Sequence, residues 1–342
     1  MDPVAALRRI AFLLERGQSP SYRVKAFRTA AGTLATLPDG ELEKRVAAGT
    51  LIQLAGVGPK TAAVAEQAAR GELPAYLADL EKSSQPLATG GQELRAALRG
   101  DLHTHSNWSD GGSPIEEMAI TGQEIGHKYM VLTDHSPRLT VANGLTSERL
   151  EKQLLVVKAL NRALDGFTLL SGIECDINED GTLDQTDEML DQLDLVVASV
   201  HSKLRSGSAE MTARMLAAVE NPRTDVLGHC TGRMVAAGPS RGRPAQRPES
   251  SFDADKVFAA CAANGVAVEI NSRPERLDPP RRLITQALQA GCLFSIDTDA
   301  HAPGQLDWQI LGCARAAECQ VPADRVVNTW PLERLLEWTA RN

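Results

Sequence analysis

The chain has 342 residues, 43% of them hydrophobic and 23% charged, with a formal net charge of -8. Its apolar runs fall far short of the roughly 18 residues that span a bilayer, and the start MDPVAALRRI lacks the apolar core of a secretory signal, so a membrane partner is excluded and a cytoplasmic address is expected. The six cysteines (Cys175, Cys230, Cys261, Cys292, Cys313, Cys319) include no Cys-x-x-Cys pair, which argues against a disulfide framework and a thiolate zinc site; packing in the interior is their expected role.

This length implies two domains. Residues 1–80 read as helical throughout: VAALRRIAFLLER, YRVKAFRTAAGTLATL and a pair of short helices around LIQLAGVGPKTAAVAEQAARG place alanine and leucine at helical spacing. This head carries 10 Lys and Arg against 8 Asp and Glu, which leaves the rest of the chain at -10. Residues 81–97 open on EKSSQPLATGGQE and read as a linker. From residue 98 to 342 strands and helices alternate, with strands near 100–103, 129–134, 168–174, 194–200, 225–229, 266–271 and 292–297. Strands that are apolar with little alternation, each followed by a helix, imply a parallel sheet covered by helices. An open doubly wound sheet would have the same order.

Six of the seven histidines decide between the two. His103, His105, His135, His201, His229 and His301 each fall at or just past a predicted strand, with Asp110, Glu174 and Asp299 among them. Any one alone is more often a satisfied core residue than a ligand, but together they form a pattern. His-x-His sets two imidazoles on one side of an extended segment, and Asp-x-His repeats the device near the other end of the chain. Nine nitrogen and oxygen donors exceed what one ion takes, so two or three divalent metal ions (Mn, Zn or Fe) are expected, with no organic cofactor. The donors meet only if the sheet closes, which gives a distorted (β/α)7 TIM-like barrel behind a small all-α domain. His127, in the polar stretch EIGHK, is expected on the solvated surface.

These motifs resemble the polymerase-and-histidinol-phosphatase (PHP) family of metal-dependent phosphoesterases over about 100–330, and HCTGR, EINSRPERLD, SIDTDAH and VVNTW look closest to the PHP domain of bacterial family X DNA polymerases. The resemblance implies one metal on His103, His105, Glu174 and Asp299, a second on Glu174, His201 and His229, and a third on Asp110, His135 and His301. The head resembles the helix-hairpin-helix domain of the same polymerases. In that reading Gly56, Val57 and Gly58 form a turn whose backbone N–H groups, with Lys60 and Thr61, hold a DNA backbone without reading sequence. Two departures narrow the expectation. No polymerase core separates the head from the barrel, and Val64 stands where lyase members carry the Schiff-base lysine.

The implied chemistry is phosphoester hydrolysis by a metal-bridging hydroxide held through Glu174, His201 and Asp299. Arg233 and Arg276 would overhang the mouth and contact phosphate, with Lys203 a weaker candidate. The segment 235–250, with Arg241, Arg243 and Arg247, reads as a loop beside the site. The leading function is a repair-type DNA phosphoesterase, a 3'-5' exonuclease or 3'-phosphatase. The alternatives are a small-molecule phosphomonoesterase of the histidinol phosphatase kind and a non-catalytic DNA-binding scaffold.

Overall fold

The computed structural model describes residues 1–235 and 246–340. The chain divides into two compact units, Met1–Pro86 and Leu87–Asn342. Among the described residues no helix is long and apolar enough to cross a membrane.

In the first unit the Asp2 side chain accepts the Ala5 N–H (2.6 Å) and Pro3 fits the opening turn, which starts α1 (Pro3–Arg16). There follow α2 (Ser21–Ala35), α3 (Glu41–Ala48), α4 (Pro59–Ala69) and α5 (Ala75–Ser83). Leu7, Ile10 and Leu14, on one face of α1, share a core with Phe27, Leu34, Leu51, Val64 and Leu77. The turn before α4 requires glycine at position 56, where φ is +80° and a Cβ would lie 2.5 Å from Thr29 Cγ2.

The expected linker over 81–97 is shorter than that. α5 runs to Ser83, and Gln92–Ala97 forms a helix with Leu94 buried. Six residues are too few to display a helical period among Ser, Pro and Gly neighbours. That helix belongs to the second unit, where Gly91 (φ +79°) lies so close to the backbone of Ala314 that a Cβ would come within 2.4 Å of its nitrogen.

The second unit is a nearly closed parallel barrel. Its strands are β1 (Gly100–Thr104), β2 (Tyr129–Leu132), β3 (Thr168–Asp176), β4 (Leu195–Ser199), β5 (Val226–Leu227), β6 (Ala267–Asn271) and β7 (Leu293–Asp297), adjacent in chain order. Helices Ile115–Glu124, Ser147–Leu160, Ser208–Val219, Ala254–Asn264 and Arg281–Gln289 cover it, while the β3 to β4 crossover has a single turn, Asp187–Leu190. The strands are buried on both faces, which explains their continuous apolar runs.

Polar side chains complete the ring between β1 and β7, where one backbone bridge links Thr104 to Ala300. Asp297 Oδ1 accepts the Leu102 N–H (2.9 Å), and Gln309 Nε2 donates to both Gly100 O (2.9 Å) and Ile296 O (2.8 Å). Asn328 donates to Gly100 O, Ile296 O and Asp297 Oδ1 while accepting the Ile296 N–H. Such a seam satisfies buried strand-edge groups that a ladder would otherwise pair.

His127 departs from the solvated position expected of it: it is 2% exposed, and neither ring nitrogen has a hydrogen-bond partner. The cause is a helix ending. Gly126 (φ +96°) donates to Gln123 O and the His127 N–H reaches back to Gly122 O, the arrangement whose last residue turns inward over the helix end. Burial, with Arg95 adding to it, holds the His127 pKa at about 3 against an ordinary 6.5. The unfolded chain therefore takes up a proton that the folded one refuses, so stability is complete above pH 6.5 and declines as pH falls toward 3. Replacing His127 by Leu should stabilise the protein more at pH 5 than at pH 8, the difference being on the order of 2 kcal/mol in thermal unfolding. Equal effects at the two pH values would contradict this.

Candidate metal centre at the barrel mouth

The C-terminal strand ends deliver all nine sequence-predicted donors to one place. Glu174, inside β3 and 1% exposed, is the hub. Its Oε1 lies 2.8 Å from His229 Nε2 and 3.2 Å from His201 Nε2, and its Oε2 lies 2.8 Å from His135 Nδ1, 3.4 Å from His103 Nε2 and 3.6 Å from His105 Nε2. The imidazoles form a circuit around it, with ring centroids 5.1 Å apart for His103 and His105, 4.5 Å for His105 and His135, 5.3 Å for His135 and His201, 5.3 Å for His201 and His229, and 5.9 Å for His229 and His103. His301 stands off this circuit, 4.2 Å from His105, and Asp110 Oδ1 lies 3.2 Å from His301 Nε2 and 3.5 Å from His135 Nε2. Asp299 adopts φ +53°, a strained conformation for a non-glycine residue, and brings Oδ1 to 3.4 Å from His105 Nε2.

Three subsets bring their donor atoms within 4.8 Å of one another and could each hold a cation: His105, Asp110, His135 and His301; His103, His105 and Asp299; and His135, Glu174 and His201. The donor chemistry fits. His103 Nε2, both nitrogens of His105 and His201, His135 Nδ1, His229 Nδ1 and Glu174 Oε2 are buried without a hydrogen-bond partner, although several lie within 3.6 Å of an opposite group. Buried polar atoms left in this state are costly unless something else satisfies them. The site opens most at Asp110, 31% exposed in its side chain, and less at His301 (16%) and His201 (11%), while His103 and His105 are at 0%.

Electrostatics within the cluster sort the groups. Burial would raise the Glu174 carboxyl, but His201, His103 and His135 outweigh it and hold its pKa well below the ordinary range. Burial likewise opposes charge on His103 and His201, yet Glu174 with Glu269 lifts His103 well above its ordinary value, and Glu174 with Asp176 lifts His201 to about 9. Burial depresses His105 well below the usual value, with His301 and His135 adding to it, and His229 to about 3, with Arg276 adding to it.

Glu269 and Asp176, which the histidine pattern does not reveal, orient the rings. Glu269 Oε1 lies 2.6 Å from His103 Nδ1 while Oε2 accepts the His229 N–H, and Asp176 Oδ1 accepts the His201 N–H (3.0 Å) and lies 3.4 Å from its Nδ1. A lone glutamate inside the apolar strand VAVEIN was the available signal. Behind the mouth, buried guanidiniums brace the loops: Arg214 donates to Ile177 O, Asn178 O and Ser202 O, and Arg315 to Asn271 O and Pro279 O.

The basic candidates fare differently. Arg276 Nε lies 3.2 Å from Asp299 Oδ2, whereas Arg233 donates to Arg276 O and Leu277 O and pairs with Glu249 at 3.6 Å, bracing a loop. Lys203 is exposed at φ +53°. Arg247 Nε donates to Gly232 O, and Arg241 and Arg243 lie outside the described residues. In the head, Val57 and Thr61 are buried, Thr61 Oγ1 accepts the Gly58 N–H (2.9 Å), and Lys60 Nζ rests 3.9 Å over the Tyr76 ring.

A parallel barrel whose mouth gathers six imidazoles and three carboxylates defines a class of α/β protein built for several cations. Comparison with known proteins agrees: residues 101–273 match the PHP domain, and residues 1–72 match a helix-hairpin-helix domain. The chain belongs to the PHP family and is a phosphoester hydrolase. It is 34% identical over 274 residues to the DNA polymerase/3'-5' exonuclease PolX of Bacillus subtilis (strain 168), covering 79% of this chain but 46% of that protein, so it spans less than half of that relative. It is 27% identical over 252 residues to a Probable phosphatase of Serratia proteamaculans (strain 568), covering 70% of this chain and 94% of that one. The solved histidinol phosphate phosphatase of Lactococcus lactis, complexed with zinc, L-histidinol and phosphate, aligns with TM-score 0.46 and 18% identity over 65% of this chain and 92% of its own.

Glu269→Gln should leave the fold intact and weaken Mn uptake by about 10- to 100-fold in a chelator competition, because it removes the charge behind His103 and leaves one acceptor oxygen for both His103 Nδ1 and the His229 N–H. Uptake at the native affinity would show that Glu269 has no part in orienting the ring.

Proposed function

We propose that this chain is a metal-dependent hydrolase of phosphoester bonds at DNA 3' ends, acting as a 3'-5' exonuclease, a 3'-phosphatase or both. The observation that carries the metal-dependent part is the set of buried, unpartnered ring nitrogens around Glu174. In this reading His103, His105, Asp110, His135, Glu174, His201, His229, Asp299 and His301 hold two or three divalent ions. Such ions supply a water of lowered pKa and compensate charge on the phosphoryl oxygens. The protein's share is positional. Glu269 fixes the tautomer of His103 and Asp176 holds the His201 backbone, so that the nitrogens facing Glu174 are free to bind. The braced loops keep that geometry without waiting for substrate, and deep burial of Glu174 leaves the approach to Asp110, His301 and His201.

DNA as substrate is supported by the head. The Gly56 to Gly58 turn opens α4, whose first N–H groups and exposed Lys60 suit a phosphate backbone. The match to a helix-hairpin-helix domain and the exonuclease named among the relatives point the same way. A small phosphate ester is the second reading, favoured by the Serratia phosphatase, which the chain matches over 94% of that protein's length.

With Mn present, the full chain should release product from 3'-labelled single-stranded and nicked DNA or from 3'-phosphorylated DNA, lose activity with chelator or with His103→Ala, and regain the native activity when Mn is restored. Lys60→Glu should raise KM for DNA roughly 10-fold and leave small esters unaffected. Hydrolysis of histidinol phosphate alone, indifferent to Lys60, would overturn the DNA reading.

A further inference from the structure

Arg273, which lies outside the histidine pattern, reaches two of the nine donors, Asp299 and His301. Its Nη1 lies 3.2 Å from Asp299 Oδ1, 3.3 Å from Asp299 O and 3.0 Å from His301 Nδ1. Arg276 approaches the other oxygen of the same carboxylate, Nε to Oδ2 at 3.2 Å. The two guanidiniums share a side because the backbone turns tightly between them: the N–H groups of Arg276 and Leu277 both donate to Arg273 O at 2.9 Å. The turn is anchored at its base, where Asp278 accepts from Thr231 and Arg315 holds Pro279 O. Both side chains keep partial exposure, 17% for Arg273 and 15% for Arg276, near the open His301 side of the mouth.

Two positive groups on one carboxylate are more than that carboxylate needs. His301 sharpens the point. An imidazole that binds a cation through Nε2 is neutral and keeps its hydrogen on Nδ1, and here that hydrogen has an acceptor in Asp299 O at 2.9 Å. Arg273 cannot then donate to Nδ1, and Asp299 Oδ1 is shared with whatever occupies the His105 subset. With Nη1 on Asp299 and Nε toward Glu275, the Nη2 pair of the five guanidinium N–H donors takes part in none of these contacts. Glu275, 3.7 Å from Arg273 Nε, is the nearest remaining counter-charge.

We propose that Arg273 and Arg276 form a two-pronged clamp for a terminal phosphate, so that the site selects phosphomonoester ends over internal phosphodiesters. This rests on the DNA 3'-end reading above and narrows it to a preference for a 3'-phosphate. The reason is charge and shape. A terminal phosphate carries close to two negative charges and three free oxygens, enough to engage both guanidiniums bidentately, whereas a diester carries one charge and two free oxygens.

The test uses the Mn-loaded full chain, calorimetric titration with inorganic phosphate, and steady-state kinetics on two oligonucleotides that differ only in a 3'-phosphate or a 3'-hydroxyl. Arg273→Ala should weaken phosphate binding by about 10-fold or more and raise KM for the 3'-phosphorylated strand by a similar factor, with kcat nearly unchanged. Hydrolysis of the 3'-hydroxyl strand, whose diester engages fewer guanidinium donors, should fall by a smaller factor, so the preference ratio falls severalfold; Arg273→Lys, which keeps charge without the fork, should recover part of it. Mn content and thermal unfolding should match the native chain. Unchanged phosphate affinity, an equal loss on both strands, or loss of Mn in Arg273→Ala would overturn the clamp, the last two by assigning Arg273 to positioning Asp299 and His301. Should the native chain cleave neither strand, the DNA reading fails while the phosphate titration still decides the clamp.

Discussion

A single buried carboxylate organises this protein. Glu174 is enclosed by five imidazoles within 3.6 Å, in surroundings where the acid and the His103, His105 and His229 rings are cut off from water. Left to themselves, such groups would draw protons onto His103 and His201 and still leave ring nitrogens unsatisfied. Divalent cations held by these residues would take the place of those protons, and their affinity would add to the stability of the fold. Ion uptake and proton release are two sides of one equilibrium at this site.

The barrel exists to make that enclosure possible. Donors scattered from His103 to His301 meet because seven parallel strands point their C-terminal ends at one mouth. The seam between β1 and β7 is where the ring is most vulnerable, and Gln309 and Asn328, both fully buried, serve there in place of a continuous ladder. Two candidate ligands flanking that seam, His103 and Asp299, depend on the same junction. Buried Arg214 and Arg315 then hold loop carbonyls from behind, so the mouth is rigid where the chemistry needs it.

The seven strands, and the nine side chains that converge at the mouth, were legible in the sequence, since a fully buried parallel strand leaves an apolar run and each of those side chains is a polar residue near the end of one. Partners of the ligands were harder to see. Glu269 and Asp176 touch rings from other strands, and no local spacing encodes that. Arg273 was hidden because its role depends on a turn, and Arg233, equally basic in sequence, is spent on backbone carbonyls. His127 misled because a polar neighbourhood says nothing about which way a helix-ending residue turns. The short helix Gln92–Ala97 was lost in linker-like composition.

The most direct test of the account is anomalous diffraction at the Mn edge from Mn-loaded crystals of the full chain. Two or three peaks should lie around Glu174, neighbours roughly 4 Å apart as in other multinuclear hydrolytic sites, each touching one of the histidine and carboxylate subsets. An empty mouth, or a lone ion bound away from Glu174, would contradict it.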